Sequence, residues 1–435
     1  MNNTSRLHLF FICCVSAMGG LLFGYDWVVI GGAKPFYELF FGIADSPFMQ
    51  GVAMSSALVG CLGGAMVAGA LADRYGRKPL LTTAAVLFTV SAIATGWYDG
   101  FTMFCVARFI GGVGIGVASA LSPVYIAEVS PADIRGRMVS LNQMTIVLGI
   151  LAAQIVNMLL ARDTSDAASQ AWNLAWGWRW MFWAETLPAA LFLLLSFFIP
   201  ESPVFVQLRN GRNASALQTA GSQQAGLGEL FSSRYAPVLI LGLVIAVFQQ
   251  WCGTNVIFNY AQEIFLGAGF NVDGMFINIV ITGIANVIFT VVALYTIEKW
   301  GRRTLMLIGA GGLGLIYLIL GTCYYLELTG VVMVALVVAA ISCYAMTLGP
   351  VTWTLLAEIF PNRIRGIAMA TCTFALWVGC CTLTFFFPPM NASLGTFGSF
   401  WVYSAICLCA FIFLWRRCPE TRGKSLEELE KELVK

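Results

Sequence analysis

The sequence predicts an all-α polytopic membrane protein with twelve transmembrane helices in two six-helix bundles. Of its 435 residues, 59% are hydrophobic and 11% are charged, whereas a soluble protein carries about 25% charged residues. The mean hydropathy is +0.81. Apolar stretches of about 20 residues, long enough to cross a bilayer, recur along the chain, and charged motifs of the first half recur in the second.

The apolar stretches define twelve candidate spans, with boundaries good to a few residues. They cover residues 9–31, 49–72, 79–97, 102–127, 138–160, 178–199, 237–266, 275–297, 304–326, 331–357, 367–388 and 397–415. Most lysines and arginines fall on one side if the spans alternate in direction. Because basic residues concentrate in cytoplasmic loops, we expect both termini in the cytoplasm and the protein in the plasma membrane, the inner membrane if it is bacterial.

Three charged motifs occur twice, each time at the end of corresponding spans. They are Asp73–Lys78 and Glu298–Arg303, Glu128–Gly136 and Glu358–Gly366, and Pro200–Ser202 and Pro419–Thr421. Their acids and arginines are expected to form ion pairs between helix ends, which break when a cytoplasmic gate opens. Positive-inside topology alone is the alternative explanation of the arginines. The predicted gate residues are Asp73, Arg74, Arg77, Glu128, Arg135, Glu201, Glu298, Arg302, Glu358, Arg365 and Glu420.

The repeated motifs indicate a duplicated six-helix unit. We therefore predict an N-terminal bundle over 1–203, a short cytoplasmic linker with one or two helices at most over 204–236, a C-terminal bundle over 237–417 and a cytoplasmic tail over 418–435. Such duplications are typical of transporters whose halves move about a site near the middle of the membrane.

The stretch from Phe248 to Tyr260 is predicted to form that site. Gln249 and Gln250 lie about twelve residues into a span, which at about 1.5 Å per residue is near the middle of a bilayer. Asn255 and Asn259 follow, after a glycine that loosens the helix. Buried amides cost several kcal/mol unless they have partners, and each can both donate to and accept from a neutral polyhydroxyl compound. Hydrogen bonding between helices is the alternative role.

Three ionisable residues lie within predicted spans, away from their cytoplasmic ends. Asp26, Arg108 and Glu185 all fall in the outer half of the membrane at similar depth, where a lone charge costs about 2.5–3.5 kcal/mol or more. We expect Asp26 to pair with Arg108 until a proton neutralises it, with Glu185 tuning or relaying that proton. A static salt bridge is the alternative. The one histidine, His8, lies near the cytoplasmic mouth, so a carboxylate must carry any proton.

Several classes of protein are not indicated. The sequence has neither metal-ligand spacing nor a nucleophile–base constellation, so we expect a non-enzyme without metal or cofactor. The net charge of +2 gives no reason to expect nucleic acid. The thirteen cysteines lie almost wholly in apolar stretches and are interpreted as small buried hydrophobes. The expected partners are a small neutral polyhydroxyl compound, the proton and the lipid bilayer, with the protein active as a monomer.

The sequence resembles the sugar porter family of the major facilitator superfamily, including its bacterial proton–xylose symporters and glucose facilitators. The motifs that carry the resemblance are Gly24-Tyr-Asp26, Arg108-Phe-Ile-Gly-Gly112, Pro200-Glu-Ser-Pro203, Gln249-Gln250, Gly349-Pro-Val-Thr-Trp353 and Pro419-Glu-Thr-Arg-Gly423. The resemblance implies the major facilitator fold and alternating access to one sugar. In the family, the aspartate at the position of Asp26 marks proton symporters, and facilitators carry asparagine there.

The resemblance also implies which residues hold the sugar. The matching positions are Phe23, Gln143, Gln249, Gln250, Asn255, Asn286, Gly349, Trp353 and Trp377. Asn259 joins this predicted set, although the family usually has a tyrosine there. Leu376 and Ile150 stand where the xylose symporters have amides. The sequence therefore predicts proton-coupled uptake of a neutral monosaccharide or polyol. A passive facilitator, with Asp26 and Arg108 as a static salt bridge, is the main alternative, and a sugar sensor is another.

Overall fold

The computed structural model describes residues 3–131, 134–162, 166–209, 227–361, 364–424 and 426–433. Secondary structure in these residues is helical throughout, without strands. Most of the predicted linker, at 210–226, lies outside the described residues, as does the side chain of Glu298. Ten helices of the described part are long and apolar enough to cross a membrane.

The first half begins with five long helices. They are α1 (Asn3–Phe40), α2 (Pro47–Tyr75), α3 (Arg77–Trp97), α4 (Phe101–Val129) and α5 (Arg135–Leu160). Each contains one predicted span, and most extend it by several residues. The extension is largest in α1, where Lys34 is buried against Glu38 one turn later with an Nζ–Oε1 distance of 2.9 Å. The ion pair lets the helix continue past its apolar stretch.

The sixth predicted span is not one continuous helix. A short helix, α6 (Ala167–Trp172), and a π-helical turn (Asn173–Gly177) precede this span, which contains α7 (Trp178–Ala184) and α8 (Thr186–Ser196). The break between α7 and α8 falls at Glu185. Pro188 explains it, because proline has no N–H to donate to the carbonyl of Ala184, four residues earlier. A short helix, α9 (Pro203–Arg209), follows.

The second half is interrupted at more places. Its helices are α10 (Leu227–Leu230), α11 (Ala236–Trp251), α12 (Thr254–Asn259), α13 (Ala261–Gly267), α14 (Val272–Trp300), α15 (Arg302–Tyr325), α16 (Val331–Met346), α17 (Leu348–Ile359), α18 (Arg365–Arg417) and α19 (Leu426–Leu433). The eleventh and twelfth predicted spans both lie in α18. Their boundary is at Gly395, whose φ of 70° and ψ of 172° are not helical.

Contacts divide the chain into two compact units. Unit 1 contains Met1–Ala214, Asn259–Gln262 and Asn271–Gly283, and unit 2 contains Ser215–Phe258, Glu263–Phe270 and Ile284–Lys435. Two short segments of the second half therefore belong to unit 1. The predicted bundle boundaries at 203 and 237 stay a prediction.

Helices in unit 1 approach closely where a glycine faces a neighbouring backbone. A Cβ atom on Gly112 of α4 would stand 1.8 Å from the carbonyl oxygen of Ala57 in α2, and one on Gly24 of α1 would stand 1.9 Å from that of Ile146 in α5. Any side chain there would force the helices apart. Small residues thus bring α2 against α4 and α1 against α5, as is common in membranes.

Candidate functional site

Three of the predicted amides form a hydrogen-bonded chain in unit 2. Asn255 Nδ2 donates to Gln250 Oε1, and Gln250 Nε2 donates to Gln249 Oε1 at 2.6 Å. Gln249 Nε2 then donates to the hydroxyl of Tyr344 at 2.8 Å. The amides are 5–9% exposed. Each carboxamide has two N–H donors and two lone pairs, so the chain leaves further capacity on each for another polar partner.

A backbone break places these amides next to one another. Helix α11 ends at Trp251, and α12 begins at Thr254 after Gly253, which has a φ of +86°. A Cβ atom on Gly253 would stand 2.8 Å from the ring of Tyr403. The predicted loosening at Gly253 is therefore confirmed. It turns Asn255 back towards Gln250, five residues earlier.

A second break, between α16 and α17, presents residues from another helix. Thr347 has a φ of −122° and a ψ of −89°, and Pro350 has no N–H for the carbonyl of Met346. Gly349 follows the break, and a Cβ atom there would stand 3.4 Å from the ring of Tyr344. Trp353, one turn later, keeps 38% of its surface exposed. An indole with this exposure can cover an apolar sugar face.

The remaining predicted sugar residues of unit 2 are buried. Asn286 in α14 and Trp377 in α18 are each 5% exposed, and Leu376 beside the tryptophan is 2% exposed. The indole of Trp251 donates to the carbonyl of Gly379 at 2.9 Å, which fixes α11 against α18 near Trp377.

Three predicted sugar residues, Phe23, Gln143 and Asn259, lie in unit 1. The ring of Phe23 meets that of Trp27 edge-on, with centroids 5.6 Å apart. Gln143 is half-buried on α5. Asn259 is 4% exposed, and its Oδ1 has no hydrogen-bond partner among the described residues. It stands outside the chain formed by the other three amides.

Asp26 and Arg108 form a buried ion pair in unit 1. Arg108 Nη1 donates to Asp26 Oδ1, and Arg108 Nη2 donates to the backbone carbonyl oxygen of Asp26 at 3.0 Å. Both residues are 2% exposed. The guanidinium also lies 5.4 Å from the ring centroid of Phe182. The two helices that carry the pair, α1 and α4, therefore bring together the charges that the sequence placed at equal depth.

Glu185 completes this cluster. It is 1% exposed and interacts electrostatically with both Asp26 and Arg108. One oxygen of each carboxyl group, Asp26 Oδ2 and Glu185 Oε1, accepts no hydrogen bond from a described residue. Glu185 lies at the break between α7 and α8, where its φ of −64° and ψ of −26° stay helical, so an interruption of the helical hydrogen bonding coincides with an ionisable residue deep in unit 1.

The repeated charged motifs form matching networks at the ends of helices. In unit 1, Arg77 Nη2 lies 3.1 Å from Glu128 Oε1. Glu201 accepts from the backbone N–H groups of Arg77 and Lys78 at 3.0 and 3.2 Å, so it caps the N-terminus of α3. The hydroxyl of Ser202 donates to Glu128. Asp73 adds an exposed contact to Arg77 at 3.1 Å.

Unit 2 repeats this arrangement with the corresponding residues. Arg302 Nη2 lies 3.1 Å from Glu358 Oε1, and Glu420 accepts from the backbone N–H groups of Arg302 and Arg303 at 3.0 and 3.2 Å. The hydroxyl of Thr421 donates to Glu358. Nearby, burial raises the pKa of the Cys418 thiol to about 12.

Three predicted gate residues make contacts that the sequence did not predict. Arg135 donates to the carbonyl of Ser130 at 3.4 Å, and Arg365 donates to that of Phe360 at 3.1 and 3.2 Å. Arg74 lies over the ring of Tyr75. Each of the side chains of Arg135 and Arg365 reaches the last carbonyl of the preceding helix, and the ion pairs expected for them stay a prediction. The hydroxyls of Ser202, Thr421 and Tyr344 were not predicted at all.

The chain is similar to known proteins over nearly its whole length. The model of the family described as Sugar (and other) transporter matches residues 12–433. The chain belongs to this family. It is not an enzyme, and its structure is a twelve-helix major facilitator fold in a multi-pass membrane protein.

Relatives of this transporter have been named for their substrates. It is 36% identical to the arabinose-proton symporter of Bacillus subtilis, over 98% of this chain and 95% of the relative. It is also 36% identical to the D-xylose-proton symporter of Escherichia coli, over 97% and 95%. The glucose facilitated diffusion protein of Zymomonas mobilis is 31% identical, over 97% and 96%.

Solved structures agree with these matches. The inward-open xylose transporter XylE from E. coli superposes with a TM-score of 0.84 at 36% identity and covers 98% of this chain and 100% of that one. A crystal structure of a D-xylose-proton symporter gives a TM-score of 0.83 at 35% identity, with 96% and 99% covered.

Proposed function

We propose that this transporter takes up a neutral monosaccharide or polyol together with protons by alternating access. The buried cluster of Asp26, Arg108 and Glu185 carries the proposal. The arabinose-proton and D-xylose-proton symporters among its relatives support it. A passive facilitator would need no ionisable group there, and a static salt bridge would account for Asp26 and Arg108 but leave Glu185 without a role.

The charges of the cluster explain why a proton belongs in it. With both carboxyl groups ionised, two negative charges face one positive charge, and one proton makes the cluster neutral. Net charge deep in the membrane is costly, so the cluster favours holding one proton. When that proton lies on Asp26, Arg108 loses its ion pair. The protonated protein then favours a conformation in which the guanidinium finds water or another partner.

The amide chain and its neighbours are proposed to bind the sugar. Gln249, Gln250 and Asn255 supply donors and acceptors for hydroxyl groups, and Trp353 supplies an aromatic surface. The burial of the three amides and the exposure of Trp353 support these roles. The other members of the proposed site are Phe23, Gln143, Asn259, Asn286, Gly349 and Trp377.

The charged networks are proposed to stiffen the cytoplasmic helix ends of each unit, and a gate would act through them. We place both termini in the cytoplasm, because most lysines and arginines lie on that side of the spans. The protein is proposed to work as a monomer in the bilayer, since its duplicated halves supply two bundles within one chain.

Transport by the purified protein in proteoliposomes tests the function. Labelled D-xylose, L-arabinose and D-glucose are offered with an inward proton gradient, with and without a protonophore. A symporter accumulates at least one of them above its external concentration, and the protonophore abolishes the excess. Uptake that only reaches equilibrium, whatever the gradient, would instead establish a facilitator.

A further inference from the structure

We propose that Tyr344 is a specificity-determining residue of the sugar site, whose hydroxyl donates a hydrogen bond to one oxygen of the bound sugar. This inference rests on the proposed function, in which the neighbouring amides bind sugar. It concerns a side chain that lies in the apolar helix α16 and that no sequence motif distinguishes.

The hydrogen-bonded chain has a direction. Asn255 donates to Gln250, Gln250 donates to Gln249, and Gln249 donates to Tyr344. Each amide oxygen in the middle of the chain is already an acceptor, so each NH2 group points onwards to the next member. The chain of donors therefore ends at Gln249, and the Tyr344 hydroxyl accepts its last hydrogen bond.

A hydroxyl that accepts still has its own proton to donate. Among the residues that the structure describes, the bond from Gln249 is the one that the Tyr344 hydroxyl makes. In a chain of aligned hydrogen bonds each bond polarises the next. The bond that the hydroxyl accepts from Gln249 therefore makes its own O–H group a stronger donor. The Tyr344 proton is thus a favourable donor for an incoming oxygen.

The position of the ring supports contact with the ligand. Tyr344 packs 3.4 Å from where a Cβ atom would stand on Gly349, at the helix break that also presents Trp353. The side chain is half-buried, so it is held in place while part of it stays accessible. Tyr344 consequently connects two groups of proposed sugar residues, the amides of α11 and α12 and the start of α17.

Such a donor discriminates between sugars by the oxygen it requires. A site built to bond a hydroxyl rejects the analogue that lacks it, because its own polar group is then left without a partner. We expect the sugar lacking that one oxygen to bind about tenfold or more weakly, a typical effect of one such bond. Tyr344→Phe should erase this discrimination at that position and leave it intact at the others.

Isothermal titration calorimetry on the purified full-length protein tests the assignment. Of D-xylose, L-arabinose and D-glucose, the sugar that binds most tightly to the wild type is chosen. Its affinity is compared with the affinities of its monodeoxy and monodeoxyfluoro derivatives. At one position the wild type should reject the deoxy sugar and tolerate the fluoro sugar, since carbon-bound fluorine accepts weakly but cannot donate. In Tyr344→Phe, the parent and that deoxy sugar should bind within about threefold of each other, as expected once the partner is gone.

Tyr324→Phe is the matched control. The Tyr324 hydroxyl donates to the carbonyl of Ile264 in the same unit, outside the proposed site, so its removal should leave the whole analogue profile unchanged. An unchanged profile in Tyr344→Phe, or an equal loss for every analogue, overturns the inference while sugar binding stands. Wild-type protein that binds none of the three sugars overturns the proposed sugar site as well.

Discussion

Arg108 holds Asp26 by two bonds, one to the carboxylate and one to the backbone carbonyl oxygen. The second bond does not depend on the charge of the aspartate. A proton on Asp26 therefore weakens the contact between α1 and α4 without abolishing it. This relationship separates the electrostatic part of the contact, which a proton can control, from the part that maintains the fold.

Asp26→Asn should keep the fold and lose proton coupling. The asparagine amide is uncharged at every pH, so the ion pair of Arg108 can no longer be switched by a proton. The hydrogen bond from Arg108 to the backbone carbonyl of residue 26 remains. In proteoliposomes we expect sugar exchange to persist and accumulation against a gradient to disappear. Sugar-driven alkalinisation, followed with a pH-sensitive dye, should vanish with it. Accumulation equal to that of the wild type would remove Asp26 from the coupling mechanism.

Asp99→Asn is the control for this variant. Asp99 also pairs with a buried arginine of unit 1, at 2.6 Å from Arg179 Nη2, but 83% of its side-chain surface is exposed. Exposed ion pairs contribute about 0–1 kcal/mol. The control should therefore transport and accumulate sugar as the wild type does.

Glu185→Gln should reduce the dependence of transport on pH. The variant leaves Asp26 and Arg108 as a neutral pair that needs no proton for charge balance. We expect sugar affinity, measured as KM over a pH series, to vary less with pH than in the wild type, with exchange retained. The exposed Asp45→Asn serves as the control. An unaltered pH profile in Glu185→Gln would show that this carboxyl group takes no part in holding the proton.

How much the sequence could predict differs from one feature to another. Counting residues along spans was enough to put Asp26 and Arg108 at one depth, because helix rise is constant. The break at Gly253 was also predictable, since glycine after two amides weakens a helix. The break at Glu185 was missed, although Pro188 was a signal for it.

Side-chain pairing was harder to predict than backbone breaks. The repeated motifs indicated that acids and arginines meet, but they did not indicate that Arg135 and Arg365 each donate to a backbone carbonyl. Backbone acceptors of this kind have no sequence pattern. Tyr344 gave no signal because a single hydroxyl in an apolar helix has no spacing to compare. Lys34 and Glu38 had the i, i+4 spacing of a helical ion pair, which indicates in retrospect that α1 continues.

Asn255→Ala should weaken sugar binding more than stability. The change removes one end of the amide chain and leaves Gln250 Oε1 without the donor it now has. Lost hydrogen bonds of about 1–2 kcal/mol correspond to roughly a fivefold to thirtyfold rise in Kd. Calorimetric titration of the variant and of the wild type with the preferred sugar measures this change in Kd. Asn271→Ala is the control, because that exposed asparagine caps the next helix by accepting from Gly274 N–H. Equal Kd values for Asn255→Ala and the wild type would exclude Asn255 from the site.

Gly301→Ala should destabilise unit 2 by breaking the capping bonds of Glu420. Gly301 has a φ of 87° and a ψ of 158°, a region that costs other residues about 1–3 kcal/mol. A Cβ atom there would also stand 2.6 Å from a carboxylate oxygen of Glu420, and moving that carboxylate forfeits bonds worth about 1.5–3 kcal/mol. In detergent, we expect Gly301→Ala to lower the Tm by more than the unfavourable backbone conformation alone would lower it.

Gly330→Ala separates the two effects. Gly330 has a φ of 88° and a ψ of −151°, so alanine meets a comparable backbone penalty, but its Cβ atom would have nothing within 4 Å. The difference in Tm between the two variants then measures the contribution of Glu420 to the cap of α15. Equal Tm values would mean that the carboxylate moves aside at no cost. In that case the cap would not hold the helix end, and the proposed stiffening of the charged network by Glu420 would be wrong.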